Sequence, residues 1–465
     1  MVLLLSFGWG LIAGAVPLRA QSELSAEDSL LATEIFEELI EIPSVSGTPE
    51  TVAAAEAMAE RLRAAGFPEE DIHVLEPLPD VGILVARYPG TGERSPILLL
   101  AHIDVVPALP EDWSVAPFEL TEQEGWWYGR GTTDNKAGAA MLVANLLRYR
   151  EEGFTPDRDL IVVLTGDEET NSEAIKWIVS EAGRELIDDP AYALNTDSGG
   201  GSLKEGVETM FGVQASEKVY LSFQLEVTNP GGHSSQPRPD NAITTLAEGL
   251  VRLSEHAWPV QLNEVTRAFF ERSAAIESGQ LAQDMRAIAG NPADSAAAAR
   301  LSESPYLSAL LRTTCVATML EAGHAENALP QTARATVNCR ILPGESTEEV
   351  EATLVSVLDD PDIQVSRLRE PTASPPSPLT DEVLGTIERL TGEMWPGVPV
   401  VPTMSIGATD GLYVRNADIP VYGVGAIFED TGDNRAHGRD ERVAIDRFYE
   451  ALRFWYRMVK ELSTS

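Results

Sequence analysis

The sequence of 465 residues contains only two cysteines, Cys315 and Cys339, and only six histidines. Two cysteines can build neither a disulfide framework nor a zinc site made of cysteines alone. Basic residues are also scarce, since 34 Lys and Arg stand against 73 Asp and Glu, for a formal net charge of −39. Such a field repels phosphate backbones and attracts cations, so the composition argues against nucleic acid as a partner. A heavily solvated acidic surface remains the alternative meaning of this excess.

Long apolar runs are confined to the N-terminus. Residues 1–20, MVLLLSFGWGLIAGAVPLRA, end in the small residue Ala20 and are followed by polar residues. This is typical of a secretory signal peptide, although a basic n-region is missing and Leu18 stands where a small residue is usual. We expect an exported protein, periplasmic or secreted, whose segment 1–20 is either cleaved or kept as a membrane anchor.

In the rest of the chain, the pattern of predicted strands and helices changes twice. From residue 25 to 213, buried strand-like runs such as SPILLLAHIDVV and DLIVVLTGDEE alternate with helical periodicity, which predicts an α/β domain with a mostly parallel sheet. Residues 214–370 instead show alternating strands and an Ala-rich helical stretch near 255–312, ended by a Pro/Ser linker. Over residues 371–465, the alternation of buried strands and helices returns. We therefore predict one α/β domain interrupted by an inserted α+β domain.

The two cysteines fall on two alternating strands of the inserted domain. If strands near 312–321 and 333–342 form a hairpin, Cys315 and Cys339 could face each other. The sequence favours two buried unpaired residues over a disulfide at this position.

His102 and Asp104 form an H-x-D pair at the end of a buried strand, so both side chains point to the same side. A metal-bound imidazole usually has its second nitrogen held by a carboxylate, and this spacing provides one. A hydrogen-bonded core histidine is the alternative. Asp134 lies in GRGTTDNKAG just before a helix, where it is either an N-cap or a carboxylate that bridges two cations.

Further acids also follow predicted strands. Glu168 and Glu169 end the run LTGDEE, Asp197 lies in LNTDSGG, and His437 lies late in the chain in AHGRDE. Adjacent acids next to a buried strand are costly unless a cation neutralises them, although a solvated loop is the alternative. Together the candidates supply two imidazoles, three liganding carboxylates and one spare Glu. That inventory suits two zinc ions about 3.5–4 Å apart.

Eight motifs occur in order between residues 102 and 441, and a further short one, GATDG, lies before the last of them. The eight are AHIDVVP, Trp113 with APF, YGRGTTDNKAG, LTGDEE, NTDSGG, NPGGHSS, ENALP and AHGRDE. This series resembles the M20 family of dinuclear zinc peptidases and aminoacylases, which includes glutamate carboxypeptidases, succinyl-diaminopimelate desuccinylases and carboxypeptidase S-like enzymes. The resemblance implies two Zn²⁺ ions, replaceable by Co²⁺ or Mn²⁺. It also implies a catalytic domain in two parts, 25–213 and 371–465, with a lid at 214–370.

The resemblance assigns a role to each candidate. Asp134 bridges the metals. His102 and Asp197 complete one site, whereas Glu169 and His437 complete the other. Glu168 is the general base and Asp104 orients His102.

The resemblance also assigns residues of the lid. His233 matches the histidine that stabilises the oxyanion, which in dimeric relatives reaches the site of the neighbouring subunit. Asn327 and Arg340 match residues that hold the substrate, and an arginine suits a terminal carboxylate. A strand-edge salt bridge is the alternative for Arg340. Gly407 and Thr409, with Asp410, match a loop on the substrate side.

These assignments predict hydrolysis of an amide bond next to a free carboxylate. The expected activity is that of a carboxypeptidase-like exopeptidase on small peptides, with N-acyl amino acid deacylase and dipeptidase as alternatives. The resemblance also implies a homodimer formed through the lid; the long helical stretch resembles the carboxypeptidase S-like branch. Outside this class, a metal-free binding protein of the same fold and a two-metal phosphoesterase remain open.

Overall fold

The structure is a computed structural model that describes residues 24–372, 374–430 and 432–464. The apolar segment 1–20 therefore lies outside the described residues. Within the part of the chain that is described, no helix has the length and apolar character needed to span a membrane.

Helices account for much of both halves of the chain. They are α1 (Ala26–Glu41), α2 (Glu50–Ala64), α3 (Lys136–Glu152), α4 (Glu173–Val179), α5 (Glu181–Ile187), α6 (Ala242–Glu255), α7 (Glu264–Ile276), α8 (Gly279–Gly290), α9 (Ser295–Leu301), α10 (Pro305–Leu311), α11 (Thr347–Leu358), α12 (Thr386–Met394), α13 (Gly411–Asn416) and α14 (Ile445–Leu462).

Most of the strands are short. They are β1 (Ile72–Leu75), β2 (Ile83–Tyr88), β3 (Ile97–His102), β4 (Thr121–Gln123), β5 (Trp126–Tyr128), β6 (Leu160–Thr165), β7 (Tyr192–Asn195), β8 (Gly200–Lys204), β9 (Val207–Glu217), β10 (Val219–Thr228), β11 (Gly232–His233), β12 (Thr314–Ala322), β13 (Ala328–Leu329), β14 (Thr332–Ile341), β15 (Gln364–Arg367), β16 (Val400–Ser405), β17 (Val421–Gly423), β18 (Phe428–Asp430) and β19 (Arg442–Ala444).

The largest sheet is ten-stranded and runs β1-β2-β6-β3-β7-β17-β9-β8-β18, with β16 paired to β9. The central neighbours β6, β3, β7 and β17 are parallel, whereas β1 and β2 add antiparallel pairs at one edge. Every residue of β3 and β6 is buried, as expected of strands covered on both faces. The predicted α/β domain with a mostly parallel sheet is confirmed.

Alternate residues of each central strand enter two separate cores. Leu99 and its neighbours on one face pack against α1, α2, α3 and α14, whereas Leu98 and Leu100 pack on the opposite face against α4, α5 and α13. The sheet is thus the middle of three layers. This layering buries the strands completely and leaves only their ends accessible, so polar side chains collect there.

A second, antiparallel sheet has the order β12-β14-β10-β15 and carries α6 and α11 on one face. We call these four strands and two helices the lid. Side chains such as Leu221 and Phe223 of β10 point to the helices, and Tyr220 and Ser222 therefore point to the opposite, polar face.

Cys315 and Cys339 lie directly opposite each other on β12 and β14, with a Cα–Cα distance of 4.0 Å, and are joined by a disulfide. The interpretation as two unpaired residues is therefore wrong. The reason is the strand register, which places the two side chains on the same face at the same level.

The helices α7 to α10, which the sequence places with the lid, pack on the central sheet. Phe269 and Phe270 of α7 share a core with Val401 and Met404 of β16. Arg272 of α7 donates to the carbonyl oxygen of Val400 at 2.9 Å. These helices therefore connect the lid to the outer part of the central sheet.

Candidate metal centre

Three neighbouring parallel strands, β6, β3 and β7, end at the same edge of the central sheet. His102 is the last residue of β3, Glu168 and Glu169 follow β6, and Asp197 follows β7. The predicted strand-end candidates are therefore brought together by the sheet topology. Asp134 joins them from the loop before α3.

Asp134 lies between the two predicted histidine ligands. Nε2 of His102 is 2.9 Å from its Oδ1, and Nε2 of His437 is 3.1 Å from its Oδ2. His437 Nε2 is also 2.8 Å from Oε2 of Glu169. Helix α3 has Asn135 at its N-cap, so Asp134 is not the cap that the alternative interpretation required. Each carboxylate oxygen instead faces one imidazole, an arrangement suited to a bridging ligand.

Two overlapping groups of side chains have the donor set of a metal site. One consists of His102, Glu168 and Asp197, and the other of His102, Asp134 and Glu169; in each, the donor atoms lie within 4.8 Å of one another. Oε1 of Glu169 is buried and has no hydrogen-bond partner in the described structure. A buried carboxylate oxygen without a donor fits a cation, and imidazole with carboxylate is the ligand chemistry of zinc.

The shifted pKa values of these groups indicate that the site favours positive charge. Burial, together with the nearby charge of Asp134, raises the pKa of Glu169 to about 7 and that of Asp197 to about 8. Burial and the charge of Asp197 raise the pKa of Glu168 well above its ordinary value. The hydrogen bond to Asp134 raises the pKa of His437 to about 9. Cations at this site would stabilise the ionised carboxylates.

Asp104 is fully buried and holds the loop after β6. Its carboxylate accepts from the backbone amides of Glu168 and Glu169, each at 3.1 Å, and from the hydroxyl of Ser46. Nδ1 of His102 is 3.0 Å from the carbonyl oxygen of Asp104 and 3.6 Å from its carboxylate. The closest acceptor for Nδ1 of His102 is therefore the Asp104 carbonyl oxygen and not the carboxylate that the sequence suggested, whereas the carboxylate fixes the backbone of both glutamates.

Glu441 performs the corresponding task for the loop that carries Asp134. Its buried carboxylate accepts from the backbone amides of Gly131, Thr133 and Asp134 at 2.8 to 3.1 Å. Arg130 donates to the same carboxylate at 2.6 Å. Sequence reasoning included Glu441 only as the last letter of AHGRDE and assigned it no role.

The metal-site residues open into a cavity of about 670 Å³ whose other wall belongs to the lid. Of the predicted substrate residues, Arg340, Gly407 and Thr409 line it. Arg340 donates to Asn338 Oδ1 and to the carbonyl oxygen of Ile406, each at 3.3 Å. It makes no salt bridge to a carboxylate among the described residues, so the alternative interpretation of Arg340 as a strand-edge salt bridge is not supported.

Sequence motifs missed four further residues that line the cavity, because no motif contains them. They are Tyr220, Arg369, Lys176 and Tyr413.

Thr409 is held by a buried ion pair where the chain enters the lid. Its amide donates to Glu217 Oε2 at 2.9 Å and its hydroxyl to Oε1 at 2.8 Å. Arg415 donates to the same carboxylate at 2.7 Å, and Ser377, on the return from the lid, accepts from Arg415 at 3.2 Å. Both connections of the lid thus meet at the base of the loop 407–410. Asp410 lies beneath it and accepts from the Thr165 hydroxyl.

The remaining two predicted residues lie elsewhere. Both are exposed: His233 belongs to β11 of the small sheet formed by β11 and β13, and Asn327 lies in the turn directly before β13. The amide of Ser234 donates to the Asn327 carbonyl oxygen at 3.0 Å. Neither residue lines the cavity of its own chain.

Comparison with known proteins identifies the family. The model of peptidase family M20/M25/M40 matches residues 98–461. The chain belongs to this family. It is therefore a hydrolase that acts on amide or peptide bonds. The resemblance inferred from the motifs is confirmed.

Two relatives and one solved structure illustrate the range of similarity. Human N-fatty-acyl-amino acid synthase/hydrolase PM20D1 is 28% identical over 468 residues, which cover 96% of this chain and 90% of the relative. A protein of Dictyostelium discoideum named "Probable carboxypeptidase S-like 2" is 30% identical over 393 residues, which cover 81% of this chain and 74% of the relative. An M20 family metallo-carboxypeptidase of Sulfolobus solfataricus has a TM-score of 0.68 at 17% identity, and the match covers 93% of this chain and 99% of that chain. The last similarity concerns the fold alone.

Proposed function

We propose that this protein is a dizinc hydrolase that cleaves an amide bond next to a free carboxylate, as a carboxypeptidase-like exopeptidase on small peptides. The observation that carries the proposal is a single cavity that joins a metal-type cluster to Arg340. Co²⁺ or Mn²⁺ would be accepted by the same donors. A terminal carboxylate bound by Arg340 places the adjacent amide toward the cluster.

The positions of the side chains support the proposed roles. Asp134 would be a ligand of both cations, since each of its oxygens faces a different imidazole. His102 with Asp197 would hold one cation, and Glu169 with His437 would hold the other. When bound, the two cations supply Lewis acidity that polarises the amide carbonyl and lowers the pKa of water. Glu168 takes the proton of the attacking water and delivers it to the leaving amine.

A specific observation favours a second candidate, N-acyl amino acid deacylase. The human relative that aligns over 96% of this chain is named for N-fatty-acyl amino acids. Such a substrate presents the same carboxylate to Arg340 and the same amide to the cluster. The two candidate substrates therefore differ only on the acyl side of the amide, which is a peptide in one and a fatty acyl chain in the other.

We further propose a homodimer formed through the lid. Strand β12 is the edge of the lid sheet, and its exposed side chains include Val316, Met319 and Leu320, which are 57–65% exposed. An exposed apolar edge strand favours association with a second copy. His233, exposed and outside its own cavity, would then stabilise the oxyanion in the partner, a contribution worth about 3–4 kcal/mol per donor. Asn327 would reach the partner in the same way.

The disulfide between Cys315 and Cys339 supports the proposal that the protein is exported, since disulfides persist mainly in oxidising compartments. The proposal covers a periplasmic or secreted location, with segment 1–20 cleaved or kept as an anchor.

The function can be tested by incubating zinc-loaded enzyme with a library of small peptides and N-acyl amino acids, followed by liquid chromatography and mass spectrometry. Chelator-sensitive loss of single C-terminal residues supports the exopeptidase, and release of acyl chains alone supports the deacylase. The holoenzyme of Glu168→Ala is the matched control: it should keep two metals per chain but lose turnover, whereas Asp134→Ala should lose metal. A wild-type protein that binds no metal would exclude the proposal.

A further inference from the structure

The lid wall of the cavity carries two arginines beside one aromatic ring. The guanidinium carbon of Arg340 lies 4.6 Å from the centroid of the Tyr220 ring, and that of Arg369 lies 5.3 Å from the same centroid. Tyr220 and Arg340 are paired across β10 and β14, and Arg369 follows the neighbouring strand β15. All three side chains line the cavity that contains the metal cluster. The arginine predicted from the motifs therefore has a second arginine as its neighbour.

Neither arginine forms a salt bridge with a carboxylate among the residues that the structure describes. Arg340 donates only to neutral oxygens, those of Asn338 and Ile406. Glu370, next to Arg369 in the chain, is instead 3.9 Å from Arg367. Arg367 also contacts two glutamates of α11, Glu348 and Glu351.

The lack of partners is informative because acids outnumber bases in this chain by 73 to 34. Lys176, a lysine that also lines the cavity, has a carboxylate partner, Glu173, at 2.8 Å. Two neighbouring guanidinium groups repel each other, and the ring between them compensates only partly. Two arginines that line a concave site without a carboxylate partner, Arg340 half-buried and Arg369 exposed, are therefore available to anionic groups of a ligand.

We propose that Arg369 forms a second anion subsite, so that the preferred substrates are acyl or peptidyl derivatives of an acidic amino acid. The main-chain carboxylate of that residue binds Arg340, and its side-chain carboxylate binds Arg369. This inference rests on the proposed function and adds the substrate class. A planar guanidinium matches a carboxylate through two parallel hydrogen bonds, whereas a neutral amide offers only one acceptor oxygen.

The test uses two substrates of nearly equal shape, an N-acyl glutamate and the N-acyl glutamine with the same acyl group. For the zinc-loaded wild type, kcat/KM should be at least about tenfold higher for the glutamate derivative. Arg369→Gln should remove this preference by lowering kcat/KM for glutamate and leaving that for glutamine nearly unchanged. Arg369→Lys should keep part of the preference, and added salt should weaken it in the wild type.

Arg367→Gln is the matched control, because it removes an arginine two residues away that does not line the cavity; its selectivity should equal that of the wild type. Equal wild-type rates on the two substrates would overturn the proposal. So would an equal loss on both substrates in Arg369→Gln, since it would show that the two arginines share a single carboxylate. If no variant with two bound metals hydrolyses any peptide or N-acyl amino acid, the proposed function itself fails.

Discussion

At the scale of single residues, the centre depends on buried carboxylates that bind no substrate themselves. Glu441 is fully buried and accepts hydrogen bonds from three backbone amides of the loop 131–134. Asp104 does the same for the loop that carries Glu168 and Glu169. Charged acceptors of this kind fix the backbone from which the metal-site side chains project.

We expect Glu441→Gln to lower metal affinity about 10- to 100-fold, because outer partners of metal ligands have effects of this size. The glutamine side chain has one acceptor oxygen fewer than glutamate. It also carries no charge, so the buried Arg130, whose Nη1 lies 2.6 Å from Oε2 of Glu441, loses its ionic partner. The measurement is competition with a chromogenic chelator, together with urea denaturation. Glu56→Gln, which removes an exposed ion pair with Arg63, is the control and should change neither quantity. Unchanged metal affinity in Glu441→Gln would show that the loop is held by other contacts.

At the scale of helices and strands, the lid sheet combines an apolar core on one face with a covalent link at its edge. The disulfide connects the edge strand β12 to β14, one position before Arg340. Because β14 carries Arg340, the link also stabilises the wall that is proposed to bind the carboxylate.

Replacing both cysteines by alanine should lower the free energy of unfolding by about 2–4 kcal/mol, mainly because the unfolded chain gains freedom. The double variant avoids a free thiol. Urea denaturation with and without reductant measures the effect. Reduced wild type should approach the double variant, and the double variant should not respond to reductant. A wild type that is equally stable in both conditions would contradict this expectation.

The elements also show how far the sequence predicts the structure. Strands β3, β6 and β7 were recognisable as short apolar runs, and parallel strands place their carboxyl ends together, so the cluster around His102 could be predicted. The disulfide could not be predicted, since a slip of one residue in the register of β12 and β14 would separate the two sulfur atoms. Nor could the packing of α7 on β16, because helical periodicity identifies an apolar face but not its partner.

Single residues in loops were the least predictable. Arg369 and Ser46 belong to no motif, and only the folded chain brings them to the site. Glu217 could be read as an ordinary strand-end acid. Its buried partner Arg415 lies 198 positions further along the chain, so the pairing cannot be recognised from the sequence.

At the scale of the whole molecule, the two connections of the lid converge on one buried point. Ser377 on the returning segment donates its amide to the carbonyl oxygen of Ala215, at 2.8 Å, just before the chain enters the lid. Glu217 and Arg415 lie at the same point and hold Thr409. Helices α7 to α10 add a separate apolar contact between the inserted residues and β16. The lid therefore has a fixed base, while its edge strand β12 and His233 remain exposed.

The exposure of His233 leads to a prediction about the assembled molecule. If His233 acts in the site of the partner subunit, Glu168→Ala and His233→Ala should each be nearly inactive alone, yet they should complement each other when subunits are mixed. In the mixed dimer, one site combines an intact Glu168 with the intact His233 of the other subunit. Random exchange makes half of the dimers mixed, each with one complete site of two, so activity should recover to about a quarter of the wild-type value. Mixing Glu168→Ala with Asp134→Ala is the control and should restore nothing, because both residues belong to the same cavity. An absence of recovery in the first mixture, with subunit exchange verified by mass spectrometry, would show that His233 does not act across the dimer.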